Sequence, residues 1–247
     1  MKIFFMLLMT VSCFVCSEEP KIIVCSSPRS GTNLLCGSLC AIFGRPIDDF
    51  QGGRMGKNAS NRLNYDKIED SPFGYRCHDS ALVATRREFV DKLVMLTRSP
   101  LELFLRNYDV KKDWQSIKKD VAFFSKEYFS RFQQFENWNE EDRLLVFYED
   151  LVSDFELTIL KVIQFSGLDP VNLEDFLKKR DEKLNLIRKS YVAQHGNQHG
   201  NSSKSGPDIA YYSDQHKTQL VKRVISTIKE QNVELWERYL KRFELVD

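Results

Sequence analysis

The chain has little of several features that mark specialised protein classes. Cysteine is scarce: six residues in 247 are too few for a disulfide scaffold in a chain of this length. Neither sign of charge dominates, since 36 Lys and Arg stand against 35 Asp and Glu, which gives a formal net charge of +1. This balance argues against bulk electrostatic binding to nucleic acid or to an acidic membrane. It leaves room for a local basic site.

Glycine, proline and long apolar runs are also limited. With 11 Gly, 7 Pro, 42% hydrophobic and 29% charged residues, the composition is that of an ordinary globular protein, neither collagen-like nor disordered. No cysteines show the paired spacing of a zinc site. Cys36 and Cys40 lie four residues apart, and we interpret them as small buried side chains on one helical face.

The N-terminus carries the one extended apolar run. Lys2 is followed by apolar residues from Ile3 to Cys16 and then by an acidic stretch, an order typical of a signal peptide over residues 1–17. The run is shorter than the roughly 20 apolar residues that span a bilayer. The alternative is an apolar segment that is buried or lies near a membrane. The first interpretation predicts a secretory or Golgi lumen location, and the second predicts a cytoplasmic one.

Compact apolar runs alternate with amphipathic segments along the rest of the chain. The apolar runs predict buried strands at Lys21–Ser27, Lys92–Arg98 and Arg143–Leu151. Helical spacing predicts helices over 34–43, 118–138, 173–180, 213–230 and 233–243. It also predicts one helix that begins at Pro100 and another that ends at Gly167. This alternation predicts a three-layer α/β fold with a central parallel sheet flanked by helices. We predict that residues 45–75 are loops around a ligand opening.

The turn between the first strand and the first helix is the sharpest signal. Its sequence, SSPRSGTN, would place backbone N–H groups and the positive end of a helix dipole where an anion can bind. Gly31 allows close approach of a phosphate, Ser30 and Thr32 offer hydroxyls, and Arg29 adds a cation. The alternative is a plain strand-to-helix turn with an N-cap. The motif GxxxxGK[ST] of triphosphate-binding loops is absent.

These residues resemble the 5′-phosphosulfate loop of the sulfotransferases that use 3′-phosphoadenylyl sulfate (PAPS). The family's loop reads PKSGT followed by Thr or Asn, so Arg29 stands where the family has Lys. TRSPLELFLRNY resembles the family's 3′-phosphate segment, with Arg98 at the binding Arg and Arg106 in place of a Ser. LLVFYEDL resembles the family's FYEDL segment, in which Tyr148 takes the place of the Tyr that touches adenine. SSKSG resembles the loop that clamps the 3′-phosphate.

The resemblance implies a single P-loop-like sulfotransferase domain over residues 21–245, with PAPS as donor and no metal. The implied donor-binding residues are Arg29, Ser30, Gly31, Thr32, Asn33, Arg98, Arg106, Tyr148, Lys204, Ser205 and Gly206. The implied acceptor is the hydroxyl or amine of a small molecule or a glycan, and nucleic acid is not expected. The sequence identifies neither the acceptor nor the oligomeric state.

Sulfuryl transfer needs a group that takes the acceptor proton and groups that stabilise charge on the leaving oxygen. FGYRCHDS precedes the second predicted strand at a spacing similar to the family's Lys-Thr-His segment, which makes His78 the candidate general base and Arg76 a cation beside it. Imidazole, with an ordinary pKa of about 6.5, suits proton abstraction at neutral pH. Arg29 is the second catalytic candidate, as an electrostatic donor only. The alternative for His78 is a surface or capping histidine.

Two other functions fit parts of the pattern. A divergent P-loop kinase or nucleotide hydrolase would share the strand–turn–helix unit, although its Lys is missing. A catalytically inactive nucleotide-binding relative would account for three departures from the family, at Arg29, Leu34 and Arg106. In many members, an aromatic residue that stacks on adenine stands at the position of Leu34.

Overall fold

A mostly parallel sheet forms the centre of the computed structural model, which describes residues 19–51, 54–56, 72–79, 83, 87–108, 110, 112–195 and 215–244. The strands in this part of the chain are β1 (Ile22–Ser26), β2 (Ile47–Gln51), β3 (Arg54–Gly56), β4 (Gly74–Cys77), β5 (Lys92–Thr97) and β6 (Arg143–Phe147). Their order is β3-β2-β4-β1-β5-β6. Every neighbouring pair is parallel except β2 and β3, which are antiparallel.

Helices connect the strands and cover the sheet. They are α1 (Thr32–Phe43), α2 (Pro100–Asn107), α3 (Trp114–Glu136), α4 (Tyr148–Ser153), α5 (Phe155–Ser166), α6 (Leu173–Lys178), α7 (Arg180–His195) and α8 (Gln215–Gln231). A last helical segment runs from Val233 to Phe243, with one turn of π-helix at Trp236–Leu240. Local capping explains two of the starts: Asp113 accepts the backbone N–H of Ser116 before α3, and Pro100 follows the N-cap Ser99 of α2.

Two hydrophobic cores lie on opposite faces of the sheet, because successive side chains of a strand point to opposite sides. Ile23 and Cys25 of β1 belong to a core shared with α2, α3, α8 and the C-terminal segment. Ile22 and Val24 belong to the other core, shared with α1, α5, α6 and α7. This arrangement confirms the predicted three-layer α/β fold.

Three features of the fold differ from the sequence-based prediction. The third predicted strand ends at Phe147 rather than Leu151, because the chain turns into α4 at Tyr148. Residues 45–75 contain β2, β3 and the start of β4 rather than loops alone. Residues 180–195 form α7, whose weakly amphipathic pattern gave little helical signal.

The predicted N-terminal signal peptide lies outside the described residues, so it stays a prediction, as do both locations that depend on it. The single domain over 21–245 also stays a prediction. In the described part of the chain, no helix is long and apolar enough to cross a membrane.

Candidate functional site

Four neighbouring strands end at the same edge of the sheet, and each is followed by residues that the sequence marks as candidates. Val24 of β1 pairs in register with Arg76 of β4 and Val94 of β5, which aligns the three strand ends. The turn 27–31 follows β1, His78 follows β4, Arg98 follows β5 and Tyr148 follows β6. The carboxyl edge of a parallel sheet is where α/β folds bind ligands.

The turn after β1 has an unusual backbone. Gly31, the N-cap of α1, has φ 91° and ψ 16°, and Arg29 also has a positive φ of 68°. A bond of 3.2 Å from Ser30 N to the carbonyl of Ser27 closes the turn. The hydroxyl of Ser30 is buried and has no hydrogen-bond partner within the described residues. Because the first N–H groups of a helix lack intrahelical partners, this turn offers several donors in one place.

Three arginines meet beside the turn. Arg29 donates from Nη1 to the carbonyl of Arg106 at 2.7 Å, and Arg98 donates from Nη1 to the carbonyl of Arg29 at 3.5 Å. Arg98 is only 6% exposed and pairs with Glu102. Burial lowers the pKa of Arg106, and the charges of Arg98 and Arg29 lower it further. Cations held together in this way form a site for an anion.

The ring of Tyr148 covers this cluster. The guanidinium carbon of Arg98 lies 4.0 Å from the ring centroid, the geometry of a cation–π contact. On its edge the ring touches Gly31, where a Cβ would stand 2.3 Å from Cδ2 of Tyr148. Tyr148 therefore joins the ends of β1 and β5.

His78 lies beside the turn, and one of its ring nitrogens is hydrogen-bonded. Its Nδ1 is 3.0 Å from the carbonyl oxygen of Ser26 and 3.2 Å from the Ser26 hydroxyl, which in turn is 2.6 Å from the hydroxyl of Thr32. A carbonyl oxygen only accepts, so Nδ1 donates and carries the ring proton, which leaves the lone pair on Nε2. Arg131 of α3 donates to the backbone carbonyl of His78 at 3.2 Å. As a whole residue, His78 is exposed.

Arg76 and Asn33 also meet at this edge: Arg76 donates to the Asn33 side-chain oxygen at 2.7 Å. The structure thus brings together eight of the eleven predicted donor-binding residues, along with His78 and Arg76. The remaining three, Lys204, Ser205 and Gly206, lie outside the described residues. In the described part of the chain, no group of three or more His, Cys, Asp or Glu residues could hold a metal ion.

Sequence reasoning did not identify three side chains that support the site. Ser26 and Arg131 hold His78, and Glu149 accepts the backbone N–H of Ser99 at 2.9 Å, next to Arg98. Ser26 and Glu149 lie within the motifs themselves, so their position was a usable signal. Arg131 comes from the middle of α3, and its sequence context does not distinguish it from other surface basic residues.

Comparisons with known proteins agree with this architecture. No protein-family model matches the chain. Human sulfotransferase 2A1 is 26% identical over 238 residues, which covers 86% of this chain and 78% of that protein. Mouse sulfotransferase SULT7A1 in complex with PAP has a TM-score of 0.56 at 15% identity, covering 90% of each chain. Retinol dehydratase with androsterone and the inactive cofactor PAP has a TM-score of 0.50 at 12% identity, covering 85% of this chain and 80% of that one.

The sequence similarity spans most of the chain, and the structural similarity shows the same fold. The turn 27–31, the three arginines and Tyr148 lie at the carboxyl ends of the strands in this fold. The chain is therefore similar in sequence to a sulfotransferase over most of its length and has the fold of a sulfotransferase crystallised with PAP.

Proposed function

We propose that this protein transfers the sulfuryl group of PAPS to a hydroxyl or amine acceptor by in-line displacement, with His78 as general base. The observation that carries the proposal is the contact of 3.0 Å between His78 Nδ1 and the Ser26 carbonyl. This contact fixes the tautomer in which Nε2 accepts a proton. It also ties the base to the last residue of β1, directly before the phosphate-binding turn.

The residues at the strand ends fit a nucleotide that carries two separate anionic groups. The hydroxyl of Ser30, buried and without a hydrogen-bond partner among the described residues, suits the 5′-phosphosulfate. The helix N-terminus at Gly31, Thr32 and Asn33 adds backbone N–H donors for the same group. Arg98 and Arg106 suit the 3′-phosphate, and the ring of Tyr148 suits the adenine. We propose that Lys204, Ser205 and Gly206 complete the 3′-phosphate site.

Two groups of the chain perform the transfer chemistry in this proposal. PAPS supplies the sulfuryl group and a phosphate leaving group, whereas the protein supplies position, a base and positive charge. His78 Nε2 takes the proton of the acceptor while Ser26 and Arg131 hold the residue in place. Arg29 stabilises negative charge on the leaving oxygen. Because a guanidinium keeps its proton, Arg29 acts electrostatically and not as an acid.

A small-molecule acceptor is the better supported class. Retinol dehydratase, which shares the fold, is known in complex with androsterone, a small molecule. His78 is exposed at the sheet edge, so an acceptor hydroxyl or amine can reach it. A glycan acceptor is the second candidate.

The first experiment compares ligands by thermal shift. We expect 3′-phosphoadenosine 5′-phosphate (PAP), which is PAPS without its sulfuryl group, to raise the melting temperature of the protein. ATP with Mg²⁺ should have little effect, because a ligand stabilises only the folded state that binds it. Stabilisation by ATP with Mg²⁺ and not by PAP would support a kinase or hydrolase instead.

The second experiment tests whether His78 acts as the general base. His78→Ala should lower sulfuryl transfer by about 100- to 10,000-fold, the usual contribution of a general base, while the affinity for PAP changes little. Glu156→Ala, which removes an exposed side chain of α5, serves as the control. An equal loss of transfer and of PAP affinity would contradict the assignment of His78. PAP binding by the wild-type protein without turnover on a broad panel of alcohols, phenols and amines would support an inactive relative.

A further inference from the structure

Arg98 is held from several sides at the corner between β5 and α2. Glu102 pairs with its guanidinium, and the Tyr148 ring stacks on it at 4.0 Å. The hydroxyl of Tyr128 donates to the backbone carbonyl of Arg98 at 2.9 Å. The corner therefore fixes both the backbone and the side chain of this arginine.

Glu149 adds a contact to the next residue of the same corner. Its Oε1 accepts the backbone N–H of Ser99 at 2.9 Å, and Ser99 is the N-cap of α2. Its Oε2 is buried and has no hydrogen-bond partner within the described residues. A buried carboxylate oxygen without a partner costs free energy, so a plain surface role does not account for this glutamate.

The position of Glu149 in the chain links two parts of the site. Phe147 at the end of β6 pairs in register with Thr97 at the end of β5. The next residues, Tyr148 and Glu149, then reach the same corner: the ring covers the Arg98 guanidinium and the carboxylate takes the Ser99 N–H. One dipeptide thus holds the side chain of Arg98 and the backbone that follows it.

We propose that Glu149 is a positioning residue for donor recognition, which acts by fixing the β5–α2 corner and so the direction of Arg98. The inference rests on the proposed function, in which Arg98 binds the 3′-phosphate of the nucleotide. Glu149 itself touches no ligand in this scheme. Its loss should therefore affect ligands with a 3′-phosphate and spare those without one.

The test compares the affinity for PAP with that for adenosine 5′-phosphate, which lacks the 3′-phosphate. For Glu149→Ala we expect about tenfold weaker binding of PAP, the value of one hydrogen bond, and less than about twofold change for adenosine 5′-phosphate. Glu149→Gln keeps a carbonyl that accepts from Ser99, so its PAP affinity should stay within about threefold of wild type. Glu156→Ala, which removes an exposed carboxylate of α5, is the matched control.

Two outcomes would overturn the inference. The first is an equal loss of affinity for both nucleotides in Glu149→Ala, which would indicate a merely structural role. The second is a Glu149→Gln variant as defective as the alanine variant. If the wild-type protein does not prefer PAP to adenosine 5′-phosphate, the proposed function fails, and that result is read separately from the variants.

A double-mutant cycle adds a check that does not depend on absolute affinities. In an Arg98→Met background, Glu149→Ala should cause little further loss of PAP affinity, because the group that Glu149 positions is gone. A second full tenfold loss in that background would show that Glu149 acts independently of Arg98 and would contradict the proposal.

Discussion

The ring of Tyr148 lies directly against the backbone of Gly31. A Cβ at residue 31 would stand 2.3 Å from Cδ2 and 2.7 Å from Cε2 of that ring, well inside contact distance. Gly31 also has a backbone φ of 91°, a conformation that residues other than glycine rarely adopt. The turn 27–31 and the aromatic side chain after β6 can approach this closely only because residue 31 has no side chain.

Gly31→Ala should therefore weaken PAP binding and lower stability. The strained backbone costs about 1–3 kcal/mol of unfolding free energy, and the displaced ring or turn should weaken PAP by at least about tenfold. Isothermal titration calorimetry and urea unfolding measure the two effects separately.

Gly167→Ala is the control for backbone strain alone. Gly167 ends α5 with φ 71°, and a Cβ there would meet nothing nearer than 3.5 Å. We expect it to lose stability and to keep PAP affinity. Equal PAP affinity in the two variants would contradict a role for the contact between Gly31 and Tyr148.

Arg106 should contribute to donor binding although the family has a serine at its position. Its pKa is lowered by burial and by the charges of Arg98 and Arg29, so an anion at this cluster relieves repulsion. For Arg106→Met we expect about 10- to 100-fold weaker PAP binding, the value of a charged hydrogen bond. The melting temperature without ligand should not fall, because one of three clustered like charges is removed. PAP affinity should also depend less on salt than in the wild-type protein.

Arg188→Met removes an exposed arginine of α7 and is the matched control for Arg106→Met. We expect it to bind PAP like the wild-type protein, with the same salt dependence. If Arg106→Met binds PAP as tightly as this control, Arg106 has no role in donor binding.

The sequence predicted the strands that carry the site better than the rest of the fold. β1 and β5 are continuous apolar runs because both of their faces are buried, and such runs are visible without any partner. The segment 45–75 was predicted as loops, yet it contains β2, β3 and the start of β4. Its short strands contain Asp48, Asp49 and Gly74, residue types that are rare in strands, so pairing with β4 and β1 determines their structure.

The sequence predicted which residues lie together at the strand ends only where a local motif defines the geometry. The turn around Gly31 and the positions of Arg98 and Tyr148 follow from strand ends that the sequence shows. The support from Arg131 to His78 joins residues 53 apart, and that from Glu149 to Ser99 joins residues 50 apart. Such contacts depend on tertiary packing, which neither propensity nor spacing encodes.

The cysteines of the described part of the chain should resist alkylation in the folded protein. Cys25, Cys36, Cys40 and Cys77 are buried thiols, and burial was predicted for Cys36 and Cys40. Burial raises the pKa of Cys25 to about 12, so its reactive thiolate is rare at neutral pH. We expect iodoacetamide to modify these four residues only after unfolding, which peptide mass mapping will show. Rapid modification of Cys25 in the folded protein would contradict the buried β1 strand.

Stability should depend on pH through Glu149. Burial raises the pKa of this carboxyl above its ordinary value, so the folded state favours the protonated form. The stability that this preference contributes is fully present below the pKa of the unfolded chain and is lost as pH rises through the folded-state pKa. Glutamine does not ionise, so Glu149→Gln should escape the loss.

Urea unfolding of the two proteins at about pH 4 and about pH 7 tests this sign. The free energy of unfolding of Glu149→Gln, relative to wild type, should be higher at the upper pH than at the lower one. Glu156→Gln, at an exposed position of α5, controls for the loss of a carboxylate as such. A difference between Glu149→Gln and wild type that stays constant with pH, or that favours the wild-type protein as pH rises, would show that burial does not disfavour the ionised carboxylate.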